Sequence, residues 1–562
     1  MSSTSQNIEY QQRVLDTKST SFCGAKWYNA TIFLNAGKTM SCHHNPWHDV
    51  AYTDVEENYK ALHNTDIKKQ QRQQMLDGIR PPGCDYCWRM EDAGSISDRV
   101  YKSQQHSEQD LDRAFKSDSD EDFDLQVLEL HFDKVCQMAC SYCHAGYSTT
   151  WAQDIRENGP YEDVETDKRL HYKHERRIEQ LFKPDQENPF VEAFYKWWDK
   201  DLHKTLKQLR IPGGEPLLSP HIWKFIEWFK KKDTKCSLEF ITNLGPRVDV
   251  DRFLTAIEGE QVVVMTSMDT VGEHAEYIRD GVDYNLWVTN VEKCLSSTSV
   301  KEVNVLFTVN ALSIIDMTEL LEQVEDWKAT YGKERISISI NILRYPEFQS
   351  VLVLPSNLRQ QFADTLATFC EWHNLAFSER EHEQLERLVS YCRIVDEPDN
   401  IVELRRDFRS FFRQYDKRRG KNFKSTFPIL GSFMKESRWQ RFKKWFTVDH
   451  IVDTVVDAFL LIFDVITSPI LIVMRLLRRF IVNWLVGGIK NTIKRIVFWF
   501  ARKREYRLKH GHGIFRTYWW LICASPFIAF VLVCVLTFSY LWVTDPEPID
   551  WSWDSDDTTE TN

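Results

Sequence analysis

The chain has 562 residues, 43% of them hydrophobic and 27% charged, with a net charge of −11. That length holds more than one domain and a sizeable core, and the negative balance argues against a protein built for nonspecific nucleic-acid binding. The start, MSSTSQNIEYQQ, has no apolar secretory stretch, so the 13 cysteines are expected in a reducing compartment, where clusters of them read as metal ligands rather than disulfides.

Residues 1–106 show little helical periodicity and carry Cys23, Cys42, Cys84 and Cys87, the last two within PPGCDYCWRMED. Proline and glycine before the C-x2-C pair favour a tight turn that brings two thiolates toward one metal. Four cysteines suit a closed tetrahedral set, for zinc or for an iron–sulfur cluster. His43, His44 and His48 read as surface polar residues or as groups behind the ligands. Residues 107–124, SEQDLDRAFKSDSDEDFD, are acidic and polar and are expected to form a solvated linker.

Apolar, β-rich runs then recur at 125–132, 205–211, 237–242, 261–267, 302–309 and 336–343. Helical segments lie between them, such as His221 to Lys231 and Met317 to Thr330, so the fold class is α/β with parallel βαβ units. The loop after the first run carries Cys136, Cys140 and Cys143 at C-x3-C-x2-C. Three thiolates can hold three irons of a 4Fe–4S cube and leave the fourth iron open. The same spacing also follows one helix face, where cysteines pack as small apolar residues. The second run leads into Gly213 and Gly214, which let backbone approach a ligand, and Glu215, which offers a carboxylate to a cationic amine. Later strand ends carry Asn243, Ser267 and Asp269, which suit hydroxyl groups, and Arg279, which can fork onto a carboxylate. Ordinary helix caps use the same residue types. Residues 150–200 form a long insertion rich in Trp, Tyr and charge, which reads either as a shaper of substrate access or as a surface helical pair.

The paired motifs, with Tyr142 just before the last cysteine, resemble those of the radical S-adenosylmethionine (SAM) enzymes. The resemblance implies a partial (β/α)6 TIM-type barrel over 125–350, with its chemistry at the C-terminal strand ends. It implies a 4Fe–4S cluster on Cys136, Cys140 and Cys143, with SAM on the open iron. Gly213, Gly214 and Glu215 would hold its amino group; Asn243, Ser267, Asp269 and Arg279 would meet its ribose and carboxylate. It implies reductive cleavage of SAM to a 5′-deoxyadenosyl radical that abstracts a substrate hydrogen. Cys23, Trp27, Gly37, Cys42, Cys84, Cys87 and Glu91 resemble the half-length auxiliary-cluster domain called twitch, which implies a second 4Fe–4S cluster, with structural zinc as the alternative. His43 stands where a second cysteine is common, and this domain precedes the barrel instead of following it. Such domains accompany peptide or protein modification, so that is the expected substrate class, with a flavodoxin or ferredoxin as electron donor. A small carbohydrate or nucleotide-derived substrate is one alternative, and a non-catalytic membrane-associated iron–sulfur electron carrier is another.

Residues 351–436 read as a helical end to the catalytic region, and Gln414 to Gly420 (QYDKRRG) resembles the tail of twitch-type proteins. Cys236, Cys294, Cys370 and Cys392 are scattered and read as packing residues. Residues 437–517 are amphipathic and basic, with Asp453, Asp457 and Asp464 on one helical face of 451–474, and are expected on a membrane surface. Residues 518–543 contain no charge, have interfacial Trp519, Trp520 and Trp542, and are long enough for a transmembrane helix. The tail 544–562 is acidic. The positive-inside bias therefore predicts a membrane-anchored protein with its catalytic part in the cytoplasm and its tail outside.

Overall fold

The computed structural model describes residues 3–168, 171–173, 181–182, 186–434 and 488. In chain order the strands are β1 (Asn29–Phe33), β2 (Lys38–Met40), β3 (His48–Asp49), β4 (Val127–His131), β5 (Ala139–Cys140), β6 (Gln208–Ile211), β7 (Ser237–Thr242), β8 (Val262–Ser267), β9 (Arg279–Asp280), β10 (Val300–Val309) and β11 (Ile336–Ile342). Among the described residues, one sheet runs in the order β11-β10-β8-β7-β6-β4-β1-β2-β3, and β5 pairs with β9 apart from it. The six expected runs are β4, β6, β7, β8, β10 and β11, joined in parallel in their chain order.

Alternation along these strands makes two faces. Leu128, Leu130, Leu209, Phe240, Val264 and Val305 are fully buried on one of them. Helices cover that face: Trp287 in Tyr284–Ser296 donates its indole N–H to Thr266 Oγ1 at 2.9 Å, and Phe253 in Val250–Ala256 meets the Phe240 ring at 5.1 Å. The other face carries Glu129, Arg210, Glu239, Met265, Ser267 and Thr308, with Arg210 Nε donating to Glu239 Oε2 at 3.0 Å. The sheet thus has a polar inner side and an apolar, helix-covered outer side.

The first 106 residues depart from the expected separate, helix-poor domain. They hold helices Asp66–Leu76, Asp85–Asp92 and Asp98–Ser103. Hydrophobic periodicity missed the first because its buried residues are Lys68, Arg72 and Met75. β1 runs in parallel along β4, from Asn29 opposite Val127 to Phe33 opposite His131, and so covers an edge that would otherwise expose unpaired backbone. The same lobe reaches the last strand, where Arg344 Nη1 donates to Tyr86 Oη at 3.4 Å just beyond β11. One lobe can meet both places only if the sheet curls, as a partial barrel does. The described residues up to Gly431 accordingly form one compact unit.

Residues 107–124 are not a linker. Ser107 caps the helix Glu108–Lys116 by accepting from the Asp110 N–H, and Leu111, Ala114 and Phe123 are buried in the core of the N-terminal lobe. The described part of the 150–200 insertion is also packed rather than superficial. Its helices Thr149–Asn158 and Pro189–Trp197 bury Trp151 and Trp197, and Trp198, which opens the following turn Trp198–Leu202, is buried and stacks on Phe229 at 5.4 Å. Helices Ser356–Trp372, Glu379–Cys392 and Ile401–Arg419 agree with the helical reading of 351–436. Cys236, Cys294 and Cys392 are buried and Cys370 is half-buried, as packing residues should be. Among the described residues no helix is long and apolar enough to cross a membrane; the segments 451–474 and 518–543 and the acidic tail lie outside those residues.

The helix in place of a linker has a measurable consequence. Leu111→Ala should lower the unfolding free energy of the full chain by about 2–5 kcal/mol in urea. Asp112→Ala, on the exposed side of the same helix, should leave it nearly unchanged. A silent Leu111→Ala would restore the linker.

Candidate metal and cofactor site

β4 delivers the chain to a loop over 132–148 that carries Cys136, Cys140 and Cys143 as free thiols. The loop is not helical, so the cysteines do not follow a helix face. Within it β5 pairs antiparallel with β9, setting Cys140 opposite Arg279. Side chains tie down its carbonyls one after another. Cys136 O accepts from Thr149 Oγ1 at 3.1 Å and Thr150 Oγ1 at 2.7 Å, and Met138 O from Ser148 Oγ at 2.7 Å. Ala139 O accepts from Tyr415 Oη at 3.1 Å, Cys140 O from Trp151 Nε1 at 2.9 Å, and Ser141 O from Tyr172 Oη at 2.6 Å and Gln349 Nε2 at 2.9 Å. These bonds fix the loop backbone without any ligand. Tyr415 gives the segment QYDKRRG a role that its sequence did not disclose. Ser148, Thr149, Thr150 and Trp151 follow the cysteines closely but carry no spacing signal of their own, while Tyr172, Gln349 and Tyr415 come from far along the chain.

β6 leads into Gly213-Gly214-Glu215, which lies against this loop. A Cβ on Gly214 would sit 2.4 Å from Val135 O, 2.6 Å from Lys134 O and 2.7 Å from Cys136 Cβ; one on Gly213 would meet Asp133 O at 3.2 Å. Glu215 N donates to Val135 O at 2.6 Å. The Glu215 carboxylate does not stand open to an amine, as the sequence suggested. It is fully buried and accepts from Leu217 N at 3.0 Å, Thr242 Oγ1 at 2.8 Å and Asn243 N at 2.6 Å. It therefore clamps the turn to the end of β7. Burial pushes its carboxyl up to about 7, against the downward pull of those three bonds.

The other expected cofactor contacts are also partly committed. Asn243 Oδ1 accepts from Gln137 Nε2 at 3.0 Å, which ties the end of β7 to the residue after Cys136. Asp269 is 1% exposed and accepts four hydrogen bonds: Arg279 Nε at 2.9 Å, Arg279 Nη2 at 3.2 Å, Tyr142 Oη at 2.6 Å and Thr308 N at 2.7 Å. Arg279 thus forks onto Asp269, and its Nη1 reaches Cys140 Sγ at 3.8 Å. Tyr142 lies beneath the guanidinium, 5.6 Å from it. Asp269 and Arg279 form a preset wall behind the cysteines. Ser267 ends β8 on the inner face, beside Leu306 of β10.

The second cysteine set converges. Cys23, Cys42, Cys84 and Cys87 line one cavity, together with Lys26 and Asn45. Cys42 Sγ donates to Asn45 Oδ1 at 3.3 Å, and Asn45 Nδ2 reaches Cys84 Sγ at 3.5 Å. Cys84 caps and Cys87 lies in the first turn of Asp85–Asp92, and Gly37 turns the β1–β2 hairpin with φ of 58° before Cys42. Trp27 is fully buried, and Glu91 holds Arg99 Nε at 2.8 Å, whose Nη1 binds Phe22 O at 3.0 Å beside Cys23. His43 and His44 approach Asp98 Oδ2 at 3.4 and 2.7 Å. Among the described residues they and Asp98 are the group of three ligand atoms lying within 4.8 Å of one another. Neither cysteine set is drawn in to the spacing of about 3.8 Å that tetrahedral zinc–thiolate bonds impose.

Both sets offer thiols alone, which suits iron–sulfur ligation, and the four-cysteine set suits zinc as well. Burial pushes the Cys143 thiol up to about 12, Cys23 to about 11 and Cys87 to about 12. Free thiols here keep their protons, and a bound cation reverses that balance.

No protein-family model matches the chain, and no curated protein matches it. Solved structures do. Native anSMEcpe with bound AdoMet and Cp18Cys peptide aligns at 16% identity over 45% of this chain and 61% of its own length, with a TM-score of 0.29. TYW1 with a lysine–pyruvate adduct bound aligns at 16% identity over 42% and 70%, with a TM-score of 0.22. Streptococcus suis SuiB aligns at 12% identity over 61% and 68%, with a TM-score of 0.27. Superpositions this loose carry no argument about function.

The Gly214 contact gives a direct test. If Cys136, Cys140 and Cys143 take up iron, Gly214→Ala should displace residues 134–136 and cost the chain most of that iron, whereas Gly213→Ala should keep it. Iron and sulfide counted after anaerobic reconstitution, in a chain lacking the other four cysteines, decide the outcome.

Proposed function

We propose that this chain is a radical SAM enzyme. Cys136, Cys140 and Cys143 would hold a 4Fe–4S cluster with one iron open to S-adenosylmethionine, and Cys23, Cys42, Cys84 and Cys87 a second cluster. When bound, the first cluster and S-adenosylmethionine supply one-electron cleavage of a carbon–sulfur bond and abstraction of a hydrogen atom. One observation carries the reading: the three-cysteine loop after β4 and the Gly213-Gly214-Glu215 turn after β6 lie backbone against backbone at adjacent strand ends. An electron carrier has no need of that turn.

The chain's own residues hold and enclose the reactants. Gly213 and Gly214 let the turn pack directly against the three-cysteine loop, where its own backbone carbonyls would accept from a cofactor amine. Glu215 keeps that turn in place. Ser267 and the half-committed Asn243 present polar atoms to a ribose. Arg279 places a cation beside the Cys140 sulfur while Asp269 holds it there. The polar inner face of the sheet, with Glu129, Arg210 and Glu239, suits a hydrophilic substrate. We take a peptide or protein as that substrate, on the resemblance of the four-cysteine lobe to twitch domains, with a flavodoxin or ferredoxin as electron donor. Anchoring by 518–543 would keep the catalytic unit at the cytoplasmic side of a membrane.

Anaerobic reconstitution followed by S-adenosylmethionine and dithionite should yield 5′-deoxyadenosine. The triple variant Cys136→Ala, Cys140→Ala, Cys143→Ala should yield none while retaining iron at the second site. Undiminished 5′-deoxyadenosine from the triple variant would overturn the assignment.

A further inference from the structure

The N-terminal lobe places Lys26 in the lining of the four-cysteine cavity and, in the buried network behind it, Lys68 and Arg72, which share His63 while Arg72 Nε donates to Lys26 O. Lys26 is 2% exposed, and Lys68 and Arg72 are both 0% exposed. A buried charge costs several kcal/mol unless it is paired. Among the described residues none of the three is in an ion pair. Lys26 Nζ donates to Gln71 Oε1 at 2.6 Å and reaches Asn45 Oδ1 at 3.5 Å. Lys68 Nζ meets Thr39 Oγ1 at 3.0 Å and His63 Nδ1 at 3.1 Å. Arg72 bonds Lys26 O, Glu121 O, Asn64 Oδ1 and His63 Nε2. Every partner is neutral. Asp122, whose charge is felt at Arg72, is bonded to Lys69 at 2.9 Å. Lys328, another buried lysine of this chain, has Glu381 at 3.0 Å.

Lys26 shares the cavity lining with the four thiols and with Asp98, and Asp98 is already held by His43 and His44. Asn45 links Lys26 to the thiols, since its Oδ1 takes both Cys42 Sγ and Lys26 Nζ and its Nδ2 reaches Cys84 Sγ. With the thiols protonated, burial and Arg72 hold the Lys68 ammonium well below its ordinary value. Four thiolates on a metal change that balance, because their charge exceeds that of either a zinc ion or an iron–sulfur cube.

We infer that Lys26 and Lys68, with Arg72 behind them, are the counter-charges of an anionic metal–thiolate centre on Cys23, Cys42, Cys84 and Cys87. The inference rests on the four-cysteine reading above and adds which residues neutralise that centre. The lysines touch no metal; they act through the field at the sulfurs, as positioning residues. They favour the loaded site over the empty one, and the reduced form of a cluster over the oxidised one.

The test uses the full-length chain carrying Cys136→Ala, Cys140→Ala and Cys143→Ala, so that only this centre is read. It is reconstituted anaerobically with ferrous iron and sulfide, and separately loaded with zinc. Lys68→Met should leave the metal-free chain at least as stable in urea as its parent, because an unpaired buried ammonium is gone. The reduced fraction of the cluster at a fixed ambient potential should fall about tenfold, or 59 mV for one electron. With zinc, release to a chelator should quicken about tenfold, which is 1.4 kcal/mol. Lys68→Arg should restore the parent values. If Lys68→Met does not fold, Lys26→Met is read in the same way. Equal destabilisation of the empty and loaded forms, with unchanged potential and unchanged zinc release, overturns the inference. A parent chain that takes up neither metal overturns the four-cysteine reading itself.

Discussion

The structure depends on one close backbone approach. Only a hydrogen fits on Gly214 Cα, because Val135 O, Lys134 O and Cys136 Cβ occupy the space where a side chain would begin. That contact sets the first cysteine of the loop against the turn after β6. Glu215 then extends the hold sideways, from its own N–H to Val135 O and from its carboxylate to Thr242 and Asn243 at the end of β7. Gln137 closes the circuit by bonding Asn243. Three strand ends are thereby fixed around the cysteines.

A second ring of contacts holds the loop carbonyls. Trp151, just after the loop, and Tyr172, Gln349 and Tyr415, further along the chain, each donate to a carbonyl between Ala139 and Ser141. The helix Ile401–Arg419 therefore belongs to the site although it lies outside the barrel strands, and Arg419 lies over the Trp151 ring at 4.6 Å. A loop that must carry three sulfurs in a fixed arrangement gains from having its carbonyls held by rigid aromatic side chains.

The six barrel strands were legible because their outer face is apolar and each run is bounded by turn residues, so composition and period agree. The cysteines and the Gly-Gly-Glu turn were legible because their spacing is local. What failed was anything set by tertiary context. Lys68 and Arg72 occupy the buried side of Asp66–Leu76, so a helix was read as irregular chain. Leu111 and Ala114 form a narrow apolar stripe within an acidic segment, so another helix was read as linker. The Asp269 and Arg279 side chains suit a ligand by type, yet they found each other at 2.9 Å. The parallel pairing of β1 with β4 joins residues almost a hundred positions apart and leaves no mark in either segment.

The central claim is that the Cys136, Cys140 and Cys143 loop leaves one iron of a cluster free for a cofactor. Mössbauer spectroscopy of the full chain reconstituted with iron-57, with Cys23, Cys42, Cys84 and Cys87 replaced by alanine, tests this directly. Addition of S-adenosylmethionine should change the isomer shift of a single iron site and leave the others as they were. A spectrum in which no iron responds to S-adenosylmethionine would contradict it.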